Sequence, residues 1–401
     1  MQPMRRSTTH LLVMCLVTSA VFLLGAAQKS PCASTDWIEG GVHRPFLCES
    51  DLPHMPISEQ LTGDRRPYLD ACEPAERPCD EYPPLTMYAL RAIASVPGQG
   101  DPYTRFYAVS VALLLLCALA ITWSLEQMGA RTILFAAAPV LLTTGTTSLD
   151  LLPVALATLG TLAYLRRRNL LAGFLLGVGA VAKIYPALLA FPFGIDAIRR
   201  RDRRGAARLG VGAVTTTLAG NLPFAVAATA SWFTLYRLNA SRPADYETLW
   251  HLAARLGLHV PTAVINAASL IAVLAGSAWI GRSVLRRHPN TPAWMLAFPL
   301  LVLLLLTGKV WSSQYSLWLL PWFALGRIRV LPFLQYQLAE VAEFLIRYLY
   351  FATVLGGNGL PYAFLGGIVV IRAALLTRCL VLWIRDPLPA AGVVAREPRR
   401  T

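Results

Sequence analysis

Long apolar stretches separated by short polar ones dominate this chain. The stretches at 11–27, 107–123 and 292–307 approach the roughly 20 residues that a helix needs to cross a bilayer. Repetition of such stretches to the end of the chain predicts an all-α polytopic membrane protein with about 12 transmembrane helices. The predicted spans lie near 9–27, 105–125, 132–147, 149–165, 169–182, 186–198, 207–230, 262–281, 292–308, 313–326, 330–355 and 361–383.

Two of these spans are short for a bilayer. The spans at 169–182 and 186–198 flank Tyr185-Pro186. Proline removes a helical donor and clashes with the preceding turn, so we interpret the two as half-helices broken at this point.

The composition supports a membrane protein. Hydrophobic residues make up 55% of the 401 residues and charged residues 14%, whereas soluble domains carry about 25% charged residues. The formal net charge of +14 would suggest nucleic acid in a soluble protein. Here the arginines cluster at the ends of apolar stretches, which favours topogenic charge and no nucleic-acid partner.

Arginine clusters on alternate connections predict the orientation. With the N-terminus inside, the inner connections hold Arg131; Arg166 to Arg168; Arg199, Arg200, Arg201, Arg203, Arg204 and Arg208; Arg282, Arg286 and Arg287; Arg327 and Arg329; and Arg385, Arg396, Arg399 and Arg400. The outer connections are nearly free of clusters, as the positive-inside rule requires. This holds only if 87–96, which contains Arg91, lies on the outer surface as a helix without crossing.

These patterns predict one membrane-embedded domain over 1–401. It has a long outer loop at 28–104 with a surface helix, a second outer loop at 231–260 and a basic cytoplasmic tail at 385–401. Arg5-Arg6 followed by 11–27 resembles a signal peptide, but the apolar stretch is long, which favours a retained anchor. We expect a multi-pass plasma-membrane protein with its chemistry on the outer face, where the long loops lie.

Four cysteines fall in the first outer loop: Cys32, Cys48, Cys72 and Cys79. Four cysteines on an oxidising side predict two disulfides with three possible pairings. Cys72–Cys79 is the short local choice, leaving Cys32–Cys48. A zinc site is the alternative, but no accompanying histidine pattern supports it.

Several carboxylates stand where chemistry could occur. Asp51 follows Cys48-Glu49-Ser50 in the first loop, and Glu81-Tyr82 precede two prolines and the surface helix. A solvated surface charge is the simplest alternative for Asp51. Asp150 begins a span at its outer end, where a carboxylate beside the bilayer either serves a site or caps the helix.

Lysine is rare in this chain, and two of the three lysines lie on the side that the positive-inside rule does not favour. Of 36 basic residues only Lys29, Lys183 and Lys309 are lysines, and the last two lie at outer ends of spans. A compact ammonium suits a phosphate bound as a point charge. The alternative is a lysine that extends to the membrane interface.

The loop at 239–251 mixes polar and aromatic residues, including Arg242, Asp245 and Trp250. Such a mixture suits sugar binding as well as any exposed loop. The chain lacks a phosphate-binding Gly-rich loop, a Gly-x-Ser-x-Gly motif and a His-Glu-x-x-His motif. A nucleotide-dependent enzyme with its site inside is therefore poorly supported.

The order of motifs resembles the actinobacterial branch of glycosyltransferase family 87, within the GT-C superfamily. The order is Ser50-Asp51, Glu81-Tyr82-Pro83-Pro84-Leu85, Asp150, Lys183-Ile184-Tyr185-Pro186, the loop containing Arg242 and Trp250, and Gly308-Lys309 to Trp318. The resemblance covers about 9–325, and 81–85 and 309–318 are its most specific parts. Two features depart from that branch: Gln314 follows Ser312-Ser313 where Ser-Pro is usual, and the four-cysteine loop is more elaborate.

The resemblance implies a GT-C-like bundle and a polyprenyl-phosphate-mannose-dependent mannosyltransferase with Asp51 as its base. We expect Lys183, Lys309 and Arg242 to bind the donor phosphate. Further substrate contacts are expected from Glu81, Tyr82, Asp150, Tyr185, Asp245, Trp250, Gln314 and Tyr315.

We expect no resident cofactor or metal ligand set, although a divalent metal could bridge Asp51 to the phosphate. The expected partners are a polyprenyl-phosphate sugar, a lipid or glycan acceptor and membrane lipids. Arabinose remains open as the sugar. Two other functions stay open: a transporter or flippase for lipid-linked sugars, for which Glu340, Glu343 and Arg347 are pathway candidates, and a non-catalytic cell-envelope assembly protein.

Overall fold

The computed structural model describes residues 8–33, 37, 47–48, 50–73, 79–354 and 358–393. Arg5, Arg6, Glu49 and the tail arginines 396, 399 and 400 lie outside the described residues. The described part is built from α-helices joined by short 3₁₀ turns, so the predicted all-α membrane fold is confirmed.

The described residues up to 199 form eleven α-helices. They are α1 (Thr8–Gln28), α2 (Ser30–Ala33), α3 (Met55–Ser58), α4 (Pro84–Ala94), α5 (Pro102–Met128), α6 (Ile133–Ala136), α7 (Pro139–Thr144), α8 (Leu151–Leu165), α9 (Asn169–Ala182), α10 (Tyr185–Leu188) and α11 (Ala190–Arg199). A 3₁₀ turn, Leu52–His54, precedes α3.

The described residues after 199 form eight α-helices. They are α12 (Arg203–Ala227), α13 (Thr229–Ser241), α14 (Leu249–Arg255), α15 (Thr262–Arg287), α16 (Ala297–Thr307), α17 (Leu320–Leu325), α18 (Val330–Val354) and α19 (Tyr362–Arg385). The 3₁₀ turns Ala293–Leu296 and Ser313–Trp318 precede α16 and α17.

Among the described residues, five helices are long and apolar enough to cross a membrane: α1, α5, α12, α15 and α19. Several other predicted spans are broken into shorter helices. The span predicted at 132–147 is divided into α6 and α7, because Pro139 begins a new helix. The predicted break near Tyr185-Pro186 is present, since α9 ends at Ala182 and Lys183 adopts an extended conformation.

The loop predicted at 231–260 contains two helices, α13 and α14, with a short connection from 242 to 248. Thr248 begins α14 by accepting a hydrogen bond from the backbone N–H of His251 (3.2 Å). The predicted surface helix in the first loop is α4, which starts at Pro84 with Pro83 before it. Proline at the first helical position removes no hydrogen bond there.

Glycines bring α9 and α12 into close contact. A Cβ atom on Gly173 would lie 2.1 Å from the carbonyl oxygen of Leu209, and one on Gly212 would lie 2.5 Å from that of Leu170. Small residues of this kind let two membrane helices approach at backbone distance. This packing sets the position of the end of α9, which carries Lys183.

The first loop is cross-linked by two disulfides, Cys32–Cys48 and Cys72–Cys79, with Cα atoms 5.7 and 6.0 Å apart. The half-buried Arg65 and the buried Asp80 form an ion pair at 2.5 Å beside the second disulfide. A side-chain hydrogen bond then docks the loop on the bundle: Thr86 Oγ1 donates to the backbone carbonyl of Ala182 at 2.7 Å. The loop is therefore a fixed part of the molecule.

The bundle has two chemically different ends. The loop face consists of 50–73, 79–101, 144–150, 183–185, 242–248 and 308–315, and hydrogen bonds join these segments to one another and to α18 and α19. The arginine face lies at the other ends of the helices, where Arg131 donates to the carbonyl of Ile328 (2.5 Å) and Arg199 to that of Pro289 (3.2 Å). The predicted base, phosphate-binding and substrate-contact residues lie on the loop face, except Trp250, which lies in α14.

Candidate active site

The segment that carries Asp51 is docked on the turn that leads to Asp150. The backbone N–H of Asp51 donates to the carbonyl of Thr147 (3.0 Å), and Ser50 Oγ donates to that of Thr146 (2.8 Å). Ser50 is buried, whereas the Asp51 side chain is exposed. The structure therefore presents the Asp51 carboxylate at the surface of the loop face from a fixed backbone.

Asp150 is the centre of a buried polar network. Its Oδ1 accepts from Lys183 Nζ at 2.7 Å and from Trp318 Nε1 at 2.8 Å, and its Oδ2 accepts from Ser148 Oγ at 2.6 Å. Asp150 stands at the N-cap of α8, but its side chain makes no capping hydrogen bond. The capping alternative is thus disfavoured, because both carboxylate oxygens bond elsewhere.

Lys183 joins Asp150 to an aromatic group. Its ammonium lies 4.5 Å from the centre of the Tyr315 ring and 5.2 Å from that of Trp318, which suits cation–π attraction. Asp51 also lies within electrostatic range of Lys183. One lysine thus faces two carboxylates: Asp150 directly and Asp51 at longer range.

A cleft opens between the first loop and the bundle at this point. Asp150, Lys183 and Ser148 provide its polar part, while Leu52 and Leu90 belong to its apolar lining. Its chemistry, polar at one part and apolar elsewhere, matches an amphipathic ligand.

Tyr82 lines the cleft, and Glu81 lies next to it on the surface. Burial, followed by the nearby charge of Asp51, holds the pKa of Tyr82 well above its usual value, so the phenol stays protonated and can donate a hydrogen bond. Burial raises the pKa of Glu81, and the charge of Arg242 opposes that shift.

The Glu59 side chain holds the backbone of the segment that carries Glu81 and Tyr82. Its carboxylate accepts from the backbone N–H of Glu81 at 3.1 Å, and burial raises its pKa to about 7. Glu59 is therefore partly protonated near neutral pH and serves as a buried support for the backbone of Glu81.

Lys309, Arg242 and Asp245 form a second charged group. The backbone N–H of Asp245 donates to the carbonyl of Lys309 (2.9 Å), and Arg242 pairs with the Asp245 carboxylate at 2.8 Å. Lys309 Nζ donates to the carbonyl of Ala240 at 3.3 Å. Burial and then the charge of Arg242 lower the pKa of Lys309, as expected for two neighbouring cations.

Tyr315 lies within electrostatic range of both charged groups. Its phenol interacts with Lys183 and Asp150 of the first group and with Arg242 and Asp245 of the second. The ring also stacks on Trp318, with centroids 4.2 Å apart. The structure therefore brings the predicted cations Lys183, Lys309 and Arg242 to one end of the bundle.

Three of the predicted substrate contacts, Tyr185, Trp250 and Gln314, occupy positions that do not by themselves indicate substrate binding. The Tyr185 ring is buried against Trp318, with centroids 4.3 Å apart, and lines a small gap between α8 and α17. Trp250 donates its indole N–H to the carbonyl of Thr307 at 2.8 Å, which joins α14 to the end of α16. Gln314 is half-buried in the 3₁₀ turn.

The resemblance stopped near residue 325, but α18 and α19 also contribute to the loop face. Arg347 pairs with Glu247 at 2.5 Å, and Asp51 lies within electrostatic range of its guanidinium. Arg372 is fully buried. A charged residue within an apolar helix is costly, and this cost was the sequence signal for both arginines.

The pathway candidates Glu340 and Glu343 both face Arg372, at 3.3 and 3.4 Å. Ser313 Oγ donates to Glu343 at 2.8 Å. These contacts tie α18 to α19 and to the 3₁₀ turn before α17. The two glutamates therefore brace helices at the site, which accounts for their burial without a transport pathway.

Comparison with curated proteins finds no match to this chain. The model of glycosyltransferase family 87 matches residues 81–308. This stretch includes Glu81, Asp150, Lys183 and Arg242, while Asp51 and Lys309 lie on either side of it. The match extends over more than half of the chain, and it coincides with an all-α membrane bundle whose polar residues gather at one end. This membrane protein belongs to glycosyltransferase family 87 and is a glycosyltransferase.

Proposed function

We propose that this enzyme transfers a hexose, mannose in the first instance, from a polyprenyl-phosphate sugar to an acceptor hydroxyl on a lipid or glycan. The observation that carries the proposal is the exposed Asp51 carboxylate beside a cleft that contains the Lys183–Asp150 pair. The loop face is the outer side of the plasma membrane in this proposal, in agreement with the arginine distribution.

The proposed reaction is a single displacement. Asp51 accepts the proton of the acceptor hydroxyl as its oxygen bonds to the anomeric carbon. The bond from that carbon to the phosphate oxygen breaks, and polyprenyl phosphate leaves with the electron pair. A phosphate is already a good leaving group, so one general base suffices.

In this proposal, cations held in fixed positions stabilise the negative charge that develops on the departing phosphate. Lys183 lines the cleft, and Arg242, which adjoins Lys309, lies within electrostatic range of Tyr315. Such preorganised charges stabilise a transition state more than they stabilise the bound substrate. The apolar lining, with Leu52 and Leu90, suits the first isoprene units of the donor.

We expect inversion at the anomeric carbon because a single carboxylate, Asp51, is proposed to act in the reaction. A retaining enzyme needs a second, nucleophilic carboxylate close to the first. Asp150 is buried and accepts hydrogen bonds on both oxygens. It is therefore better suited to orient Lys183 than to attack the sugar.

The test is transfer of labelled mannose from a synthetic polyprenyl-phosphate donor by the purified protein, with the product anomer read by NMR. Asp51→Asn keeps the shape and removes the proton acceptor, so transfer should fall by about two to four orders of magnitude while donor binding survives. Asp64→Asn, at an exposed position of the same loop, is the matched control and should leave transfer unchanged.

Near-full transfer by Asp51→Asn would show that another carboxylate is the base, with Glu81 and Asp150 next to be tried. Movement of the intact lipid-linked sugar across vesicles without transfer would favour a flippase. No transfer, no movement and no donor binding would favour a non-catalytic assembly protein.

A further inference from the structure

Two connections on the loop face carry the cations of the second charged group. The connection 242–248 begins with Arg242, and the connection 308–312 contains Lys309. A backbone hydrogen bond joins them, because the N–H of Asp245 donates to the carbonyl of Lys309 at 2.9 Å. The two cations therefore stand on separate segments, and their spacing depends on how these segments are held together.

The carbonyls two residues further along each connection share a donor. Those of Glu247 and Trp311 accept from Nη2 of Arg372, at 2.6 and 2.7 Å. Two carbonyl oxygens cannot bond to each other, because both are acceptors. A cationic donor between them joins the two backbones, and charge-assisted hydrogen bonds of this kind are roughly twice as strong as neutral ones. Arg372 thus continues the link that Asp245 and Lys309 begin.

The guanidinium of Arg372 is itself held from several directions. Its Cζ lies 4.0 Å from the centre of the Trp311 ring, and its Nη1 lies 3.3 Å from Glu340 and 3.4 Å from Glu343. Ser313, at the end of the connection 308–312, donates to Glu343 at 2.8 Å. All of these side chains are buried. A planar fork of five donors can serve carbonyls and carboxylates at once in such a place.

A simpler role for Arg372 would be to hold α19 against α18. The distances favour the connections, since Arg372 lies 2.6 and 2.7 Å from their carbonyls but 3.3 and 3.4 Å from the glutamates of α18. Arg378, six residues further along α19, offers the comparison. It is exposed and donates to Gln335 of α18 at 2.6 Å, so it joins the same two helices away from the connections.

We propose that Arg372 is a positioning residue that sets the spacing of Arg242 and Lys309 for the donor phosphate. It does so by joining the carbonyls of Glu247 and Trp311. The assignment rests on the proposed function, in which the two cations bind that phosphate. Charges held in place before the reaction stabilise the departing phosphate without reorganising. Loss of the link leaves both charges present but wrongly spaced, so donor binding weakens although no contact to the donor is removed.

The experiment uses the full-length protein in detergent and measures two quantities: hydrogen exchange at the Asp245 amide, and the dissociation constant of synthetic polyprenyl-phosphate mannose. The exchange measurement needs no ligand. Arg372→Lys keeps a positive charge but loses the planar fork, so it cannot serve both carbonyls and both glutamates. Exchange at Asp245 should accelerate and the dissociation constant should rise, each by about ten-fold, the loss expected for one hydrogen bond. Arg378→Gln should change neither.

A second comparison separates positioning from a general loss of packing. In a Lys309→Met background one of the two positioned cations is gone, so Arg372→Lys should raise the dissociation constant by only about two- to three-fold. Effects of independent sites add instead, which would give the full ten-fold rise in both backgrounds. That additive result would overturn the proposal, since Arg372 would then act through another group.

If Arg372→Lys does not accumulate as folded protein, Arg372→Met/Glu340→Gln/Glu343→Gln removes the buried charges together and leaves none unpaired. This variant should unfold near the wild-type temperature while donor binding stays weak and exchange at Asp245 stays fast. Recovery of donor binding along with stability would make Arg372 a residue of the fold alone and refute the positioning role.

Two outcomes separate this proposal from the proposed function. Wild-type exchange at Asp245 in a folded Arg372 variant would refute the positioning role, even in a protein that transfers sugar. A wild type that binds the donor but transfers no sugar, with weakened binding in Arg372→Lys, would overturn the proposed transfer and support the positioning of Arg242 and Lys309.

Discussion

The two ends of the bundle use the same positive charges in opposite ways. On the arginine face most arginines are exposed, as Arg199, Arg204 and Arg286 are, and Arg199 bonds to a backbone carbonyl. On the loop face, Lys183 and Arg347 have side chains only about a quarter exposed, and each bonds to a carboxylate of a distant element.

This difference separates charge that orients a protein in a membrane from charge that builds a site. Topogenic arginines need only to remain on one side, so water and carbonyl oxygens satisfy them. A cation buried with a carboxylate pays a large desolvation cost, which only precise geometry offsets. Substitutions should therefore have large effects on the loop face and small ones on the arginine face.

The largest effect is expected at the Lys183–Asp150 pair. Lys183→Met leaves Asp150 buried without its cation, which costs about 3–5 kcal/mol of stability, and removes a donor to the phosphate, which lowers transfer by about two to three orders of magnitude. Thermal unfolding in detergent and a transfer assay measure the two losses.

The double variant Lys183→Met/Asp150→Asn separates stability from function. It removes both charges, so the unfolding temperature should recover while transfer stays low. Recovery of transfer along with stability would mean that Lys183 serves the fold alone.

A smaller effect is expected at Lys309, which is half-buried and adjoins Arg242. Lys309→Met removes a charge that the phosphate interacts with in both the bound and the transition state, so donor affinity and turnover should each fall about ten-fold. Lys309→Arg should recover only part of this. Donor binding and steady-state kinetics provide the measurements. Unchanged donor affinity in Lys309→Met would make Lys309 an interfacial anchor.

The smallest effect is expected on the arginine face. Arg204→Gln should leave transfer unchanged within a factor of about two, because surface substitutions away from specific contacts rarely matter. Single cysteines at 204 and 245, in a cysteine-free background on intact cells, should differ: a membrane-impermeant maleimide should label position 245 only. Labelling of 204 instead would reverse the topology and place the proposed chemistry on the wrong side.

The predicted spans near 169–182 and 330–355 lie within a few residues of α9 and α18, because hydrophobic periodicity is local information. The helix break at Lys183 follows from Pro186 for the same reason. Asp150 could be selected because a charge beside an apolar stretch is costly and therefore informative, and Lys183 because lysine is rare in this chain. Asp51 was identified as the base through the resemblance in motif order.

The tertiary structure alone decided which of these residues meet. Asp150 and Trp318 are 168 positions apart in the sequence, yet they share a hydrogen bond. Arg372 reaches the carbonyl of Glu247 across 125 positions. No local pattern specifies such pairs, because they depend on how helices pack at glycine contacts such as Gly173 and on how the disulfide-linked loop docks. The sequence determined a membrane-embedded helical chain with scattered polar candidates, and packing brought those candidates together because buried charges are stable only where a partner is held within hydrogen-bonding distance.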